Sequence, residues 1–125
     1  MRVVYPAAKE AFLRGDIDMM ADTIRLQLVG AYIYDAADLI ISDITGAIGS
    51  SVIAAVTDVA DGIAQCNDVT FPDVGGTDHV TGIVTFHDNT GTLIAYTDQR
   101  ADTVPLDVTP NGGDITLSFN YLVKI

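Results

Sequence analysis

The chain has 125 residues, 49% of them hydrophobic, and its 6 basic and 17 acidic residues give a net charge of −11. The hydrophobic fraction is too high for a disordered chain and predicts a single folded domain over residues 1–125. The acidity argues against binding to nucleic acid or to a membrane surface, since both depend on clustered Lys and Arg. No apolar stretch approaches the roughly 18 residues that a membrane-spanning helix needs.

The N-terminal part of the chain, residues 1–15, is predicted to be an arm with one short helix. Pro6 suits the first helical position, because the N–H that proline lacks has no partner there in any helix. Residues 7–14 contain good helix formers, and Gly15 is expected to end the helix. We expect this arm to pack on the sheet.

Alternation of apolar and polar residues predicts the strands. Ile24, Leu26 and Leu28 alternate with polar residues, which is typical of a half-buried strand. Asp61-Gly62 is a favourable tight turn and predicts an antiparallel hairpin of the two strands around it. In chain order, the predicted strands cover residues 22–29, 51–59, 63–71, 79–87, 92–98, 104–108 and 115–121.

Two further elements complete the predicted fold. Asp35, with Asp38 three residues later, resembles a helix N-cap and predicts a short helical turn at 35–41. The clearest alternation predicts a core strand at the end of the chain. Its apolar residues are Ile115, Leu117, Phe119 and Tyr121. The whole pattern predicts a mainly β fold, an antiparallel β-sandwich or flattened barrel of about six to eight strands.

The residue types that carry catalysis show no pattern typical of an active site. His79 and His87 lie about 26 Å apart along an extended strand, which is too far for one shared metal. No serine lies in a nucleophile elbow. Cys66 has no histidine near it in the sequence and is expected to pack as a small apolar residue. We therefore expect no catalytic residue, no cofactor and no enzyme activity.

The aspartates are the remaining candidates for ligand binding. Only Glu10 among the 17 acidic residues is a glutamate, and Asp is the residue type that turns and caps prefer. No segment matches a twelve-residue calcium loop, so we expect solvated turns and no metal site, with calcium as the open alternative. The candidate pairs are Asp16 with Asp18, Asp35 with Asp38, and Asp58 with Asp61.

Several aromatic and apolar residues in the first third of the chain are candidates for a protein interface. Tyr32 and Tyr34 share one side of an extended segment, and Tyr is enriched in contacts between proteins. A small monomer keeps its exposed apolar patches small, so the hydrophobic excess favours contacts with other subunits. We predict a symmetric oligomer, with a trimer favoured. The predicted contact residues are Tyr5, Tyr32, Tyr34, Leu39 and Ile40.

Segments spread over nearly the whole chain carry a family resemblance. They are residues 9–18 (KEAFLRGDID), 22–29 (DTIRLQLV), 61–64 (DGIA), 68–71 (DVTF), 93–96 (LIAY) and 108–115 (VTPNGGDI). Together they resemble a family of short virion proteins of tailed bacteriophages. These segments build the fold and contain no catalytic signature, so the resemblance implies no active site.

The resemblance implies a structural component of the phage particle. The role that it favours is capsid decoration, in which a cement protein on the head surface binds across capsomers of the major capsid protein. A tail, baseplate or fibre-attachment module is the alternative, and a small hydrolase with paired carboxylates is a third possibility. Because packaged DNA repels an acidic surface, the outside of a shell suits this chain. We expect a virion protein that is made in the host cytoplasm.

Overall fold

The computed structural model describes residues 1–100 and 104–125. Within these residues it contains one α-helix, one 3₁₀ turn and ten strands, which confirms the mainly β fold. The helix α1 covers Pro6–Arg14 and the 3₁₀ turn covers Ile41–Asp43. The strands are β1 (Arg2–Val4), β2 (Ile24–Val29), β3 (Ala47–Ala54), β4 (Val56–Ala60), β5 (Ile63–Cys66), β6 (Val69–Phe71), β7 (Gly82–His87), β8 (Leu93–Thr97), β9 (Ile115–Leu117) and β10 (Val123–Lys124).

The strands pair in antiparallel fashion and form sheets that stack in layers. The largest sheet has the strand order β1-β8-β7-β2-β3, a smaller one has the order β10-β5-β4, and β6 pairs with β9. Ala64 and Phe71 of the small sheets share one hydrophobic core with Leu26 and Ile83 of the large sheet. The small sheets therefore cover one face of the large sheet, as in the predicted antiparallel β-sandwich.

Strand β7 lies inside the large sheet and is buried on both faces. Ile83 lies opposite Leu28 of β2, and both side chains belong to the first core. Val84 and Phe86 belong to a second, tyrosine-rich core on the other face. The alternation of β2 predicts that its polar residues face water, yet Gln27 is only 7% exposed. Its amide nitrogen lies within hydrogen-bond distance of three backbone carbonyls, which satisfy its two N–H donors in the buried position.

Helix α1 begins and ends where the sequence predicts. Pro6 occupies its first turn, and Arg14 is its last residue. Gly15 follows with a left-handed φ of 75°, and its N–H donates to carbonyls of the last turn. Ala8 and Ala11 are buried in the first core, so the helix packs on the β layers through its small residues.

The short helical turn lies later in the chain than predicted. Residues 35–38 form a turn in which the Asp35 carboxylate accepts the N–H of Ala37 at 2.9 Å. This side chain closes a single turn instead of opening a helix. The 3₁₀ turn at Ile41–Asp43 forms instead, and the carboxylate of Asp43 accepts two backbone N–H groups just before it.

The C-terminal run departs most from the predicted strands. Strand β9 pairs with β6, whereas β10 pairs with β5 in a different sheet. One continuous strand over residues 115–121 is therefore wrong, because the chain crosses from one small sheet to the other at this point. Phe119 and Tyr121 are nevertheless half-buried, as the alternation predicts.

All but one of the remaining strand predictions hold with changed boundaries. The runs 51–59 and 63–71 are each divided between two strands. The hairpin at Asp61-Gly62 is confirmed, with φ values of 55° and 76° at the turn and antiparallel pairing of β4 with β5. The predicted edge strand at 104–108 forms isolated bridges to Gln99 and Val80 and no regular strand.

Candidate interaction surfaces

Four tyrosines gather on the second face of the large sheet. The ring centroids of Tyr5 and Tyr34 are 5.1 Å apart, and the ring of Tyr96 lies 5.3 Å from Tyr32 and 6.2 Å from Tyr34. Tyr5 is 0% exposed and Tyr32 is 8% exposed. Two of the predicted contact residues are therefore buried in this tyrosine cluster, because the chain packs the tyrosines against its own sheet, and Tyr34 is half-buried above them.

A hydrogen-bonded chain ties the tyrosine cluster to the loop after β2. The Tyr32 hydroxyl donates to Asp38 Oδ2 at 2.7 Å and lies 2.9 Å from the Tyr5 hydroxyl, which is then the donor of that bond. Burial raises the pKa of Tyr32 to about 12 and raises the pKa of Tyr5 still further. Both hydroxyls thus stay protonated. The two hydrogen bonds satisfy these hydroxyl groups, which would be costly to bury without a partner.

Apolar side chains remain exposed along the loop that covers the tyrosine cluster. Leu39 is 57% exposed and Ile40 is 42% exposed, and Ile33, which the sequence did not single out, is 85% exposed. The N–H groups of Leu39 and Ile40 donate to Asp43 Oδ2, and these bonds lower the pKa of Asp43. We call Ile33, Leu39 and Ile40 the contact rim. The backbone at Leu39 and Ile40 is held by these bonds, while the side chains of the contact rim face water.

A second apolar surface is a groove of about 460 Å³ on the side of the first core. The hairpin of β4 and β5 forms one wall, and the end of α1 with the loop after it forms another. Met20 is 55%, Val59 45% and Ile125 65% exposed. The apolar residues that line this groove are Phe12, Ile17, Met19, Met20, Val59, Ile63, Ala64, Val123 and Ile125.

The sequence indicates why the groove is apolar and why its edges are acidic. In strand β10 and just after it, Val123 and Ile125 line the groove, whereas Lys124 lies over the Tyr121 ring on the other side. Asp18 lines the groove, and Asp61 lies exposed in the hairpin turn beside it. The groove therefore combines an apolar floor with carboxylates at its edge.

A polar network joins the loop before β2 to the turn between β7 and β8. His87 is 4% exposed, its Nε2 lies 2.9 Å from Asp22 Oδ2, and its Nδ1 lies 2.8 Å from Thr90 Oγ1. Asp22 Oδ2 accepts a hydrogen bond from Nε2–H, and the N–H of Thr90 lies 3.4 Å from Nδ1. Thr92 Oγ1 follows at 2.8 Å from Thr90 Oγ1.

Carboxylate, imidazole and hydroxyl follow one another in this network as in a hydrolase, but the surroundings do not suit that chemistry. The N–H of Gly91 donates to the His87 carbonyl and that of Thr92 to Thr90 Oγ1, so these donors are already engaged. The adjoining polar pocket also contains Asp16 and Asp88, whose charges oppose a developing oxyanion. The geometry favours a structural role that holds the loop in place.

We expect Asp22→Asn to lower stability at neutral pH and to lose this effect in acid. The N–H of Asp18 and the His87 ring lower the pKa of Asp22. A carboxyl with a lowered pKa stabilises the fold above its unfolded pKa of about 3.9, and this contribution disappears as the pH falls through the folded pKa. Urea unfolding at about pH 7 and about pH 3 measures the difference between the wild-type chain and the variant. Asp68→Asn is the control, and an equal, pH-independent loss in both variants would contradict the assignment.

The other candidate ligands serve local roles. The carboxylates of Asp18 and Asp35 accept backbone N–H groups of their own turns. Across residues 1–100 and 104–125, no group of three or more His, Cys, Asp or Glu side chains could hold a metal ion. Burial raises the pKa of the Cys66 thiol to about 11, which keeps it protonated. His79 is exposed and pairs with Asp107 at 2.6 Å.

Two residues of the contact rim, Leu39 and Ile40, were predicted from the sequence, whereas the groove and the loop network were not. Leu39 and Ile40 follow one another in the chain, so a local pattern indicated them. The residues of the groove come from three separate stretches of the chain, 12–20, 59–64 and 123–125, and only tertiary packing brings them together. Asp22 and His87 are likewise 65 positions apart in the chain. For the groove, the one feature in the sequence that could have indicated it is the adjacent apolar pair Met19-Met20 in an acidic loop.

Comparison with known proteins identifies no relative of this chain. No family model, curated protein or solved structure matches the chain. Among the helices of the described residues, none is long and apolar enough to cross a membrane.

Proposed function

We propose that this chain is a structural protein of a tailed bacteriophage and that it decorates the capsid by binding across capsomers. The observation that carries the proposal is the apolar groove with Met20, Val59 and Ile125 exposed in it. Exposed apolar patches on small domains mark sites of interaction with other proteins. The methionines suit such a site because their flexible side chains adapt to an apolar partner.

The position of the two apolar surfaces supports a bridging role. The groove adjoins the first core through Ile17 and Val123, whereas the contact rim lies over the second core beside Tyr32. These cores lie on opposite faces of the large sheet. One chain can therefore contact two neighbouring proteins, and two linked contacts give avidity beyond either one alone.

The charge of the chain agrees with a place on the outer surface of the shell. Its net charge of −11 repels packaged DNA and keeps free copies soluble before they bind. The expected partner is the major capsid protein, and the trimer predicted from the sequence is the arrangement that we propose at symmetric positions of the shell. Stabilisation would come from buried surface and would need no chemistry.

Shells that lack the protein provide the test. Adding the purified chain is expected to raise the temperature at which these shells disassemble. The double variant Met20→Asp with Ile125→Asp removes the groove contact, and Leu39→Asp with Ile40→Asp removes the rim contact, so each is expected to abolish the gain. The control Ile53→Asp changes a side chain that is 58% exposed on β3, outside both surfaces, and is expected to keep the gain.

Two results would contradict capsid decoration. If the wild-type chain leaves the disassembly temperature unchanged, the cementing role is wrong. If labelled copies appear at one vertex or on the tail instead of an even lattice, the protein is a tail, baseplate or fibre-attachment module. Thermal unfolding of each variant alone verifies that the introduced aspartates leave the fold intact.

A further inference from the structure

Cationic side chains gather at one edge of this acidic chain. The Arg2 guanidinium carbon lies 4.9 Å from the ring centroid of Tyr121, and Lys124 Nζ lies 5.9 Å from the same centroid. Arg2 Nη2 also donates to the backbone carbonyl of Arg100 at 2.7 Å, which helps to hold the guanidinium in place. Two of the 6 basic residues of the chain, Arg2 and Lys124, thus meet at the Tyr121 ring.

Arg2 and Lys124 differ in their surroundings from Arg14 and Arg25, which pair with Glu10 and Asp88. In the part of the chain that the structure describes, no carboxylate forms an ion pair with Arg2 or Lys124. The Tyr121 ring stabilises both cations through its π face but leaves their charge unneutralised. Their combined field attracts an anion to a place where the rest of the chain repels one.

A cavity of about 70 Å³ lies beside these cations. Since roughly 10–15 Å³ suffices for one water molecule, the cavity has room for a small anionic group. Arg2 and Lys124 line it together with the Tyr121 ring. The rest of its wall is mainly apolar and includes Val4, Ala95, Phe119 and Leu122.

Arg2 also has an unused hydrogen-bond donor. Its Nε is buried and is the one buried side-chain nitrogen or oxygen within residues 1–100 and 104–125 that has no hydrogen-bond partner. Buried polar groups in native proteins almost always find a partner. Guanidinium groups bind carboxylates with particularly good geometry, so the partner that this N–H lacks is an oxygen acceptor with negative charge.

We propose that this edge binds a carboxylate that carries a short aliphatic chain. The carboxylate would lie between Arg2 and Lys124, and its methylene groups would contact the apolar wall beside Tyr121. A group with several charges fits less well, because the net charge of −11 repels it at longer range. The carboxylate belongs either to a free short-chain acid or to a Glu side chain of a neighbouring protein. This inference stands independently of the role in the virion.

Titration of the intact chain with propionate tests the site. Chemical shifts of the Arg2 Nε–H and of the Lys124 and Tyr121 amides are expected to move in a saturable way, whereas propionamide, which has the same shape without charge, should not move them. Lys124→Gln is expected to weaken propionate binding by about tenfold, since it removes one charged partner. Lys9→Gln is the matched control, because it makes the same change on an exposed residue of α1.

The source of the carboxylate is distinguished with a capped Gly-Glu-Gly peptide and its Gly-Gln-Gly counterpart. Binding of the Glu peptide in competition with propionate supports the site and assigns it to a protein side chain. Binding of propionate alone supports the site and assigns it to a free acid. Equal effects of Lys124→Gln and Lys9→Gln, or equal binding of propionate and propionamide, would overturn the proposal. Arg2→Lys keeps the charge but removes the Nε–H, and it is expected to weaken binding without unfolding the chain.

Discussion

Replacing Tyr5 by alanine is expected to lower the free energy of unfolding by about 3–5 kcal/mol, the range for large aromatic residues in a core. Tyr5 is 0% exposed and connects three parts of the chain. Its N–H donates to the Ile94 carbonyl of β8, its carbonyl accepts the first N–H groups of α1, and its ring contacts Tyr34. Removal of the ring leaves a cavity at the junction of the N-terminal arm and the large sheet.

One further variant separates the contribution of the Tyr5 hydroxyl to the free energy of unfolding from that of the ring. Tyr5→Phe keeps the ring but removes the donor to Tyr32, so we expect a loss of about 1 kcal/mol. Tyr121→Phe is the control, because that hydroxyl belongs to a half-buried ring outside the tyrosine cluster. Urea unfolding followed by circular dichroism gives all three values. Similar losses for Tyr5→Ala and Tyr5→Phe would show that the ring contributes little.

The tyrosine cluster shows what the sequence can and cannot predict about this fold. Tyr32 and Tyr34 stand two positions apart, and this local spacing correctly indicates that they share one side of the chain. The sequence does not indicate which way that side faces. Tyr5, just before α1, and Tyr96 of β8 complete the cluster from distant parts of the chain. This packing buries two of the predicted contact residues, Tyr5 and Tyr32.

The strands show the same division between local and long-range information. The helix at Pro6–Arg14, the β2 strand and the hairpin at Asp61-Gly62 depend on local patterns, and all three are confirmed. The C-terminal run fails because its two halves pair with different partners, β6 and β5, and alternation does not record a change of partner. The apolar groove was missed for a similar reason, since no single segment contains it.

The loop that presents the contact rim depends on a close approach of two glycines at its ends. The N–H of Gly30 donates to the carbonyl of Gly46 at 2.9 Å, so the loop returns to the end of β2. Gly46 has a φ of +77°, and a Cβ added there would overlap the carbonyl oxygen of Gly30. The rim residues Leu39 and Ile40 lie between these two glycines, which makes their position sensitive to the contact.

Gly46→Ala is therefore expected to lower the free energy of unfolding by about 3 kcal/mol. About 1–2 kcal/mol comes from the left-handed backbone, and the overlap with Gly30 adds about 1–3 kcal/mol. Gly49→Ala is the matched control, since Gly49 has a φ of +68° and the nearest atoms to an added Cβ, those of Val74, lie 3.9 Å away. The Gly49→Ala variant has the unfavourable left-handed backbone but no steric overlap, so we expect its free energy of unfolding to fall by about 1–2 kcal/mol.

The difference between these two glycine variants measures the contact at the ends of the loop. If Gly46→Ala and Gly49→Ala lose the same free energy in urea unfolding, the close approach of Gly30 and Gly46 contributes nothing. If the loss is larger for Gly46→Ala, the same variant is also expected to weaken shell stabilisation at temperatures where it is still folded, because the loop no longer holds Leu39 and Ile40 in place. Gly49→Ala should stabilise shells as the wild-type chain does, since β3 lies outside the contact rim.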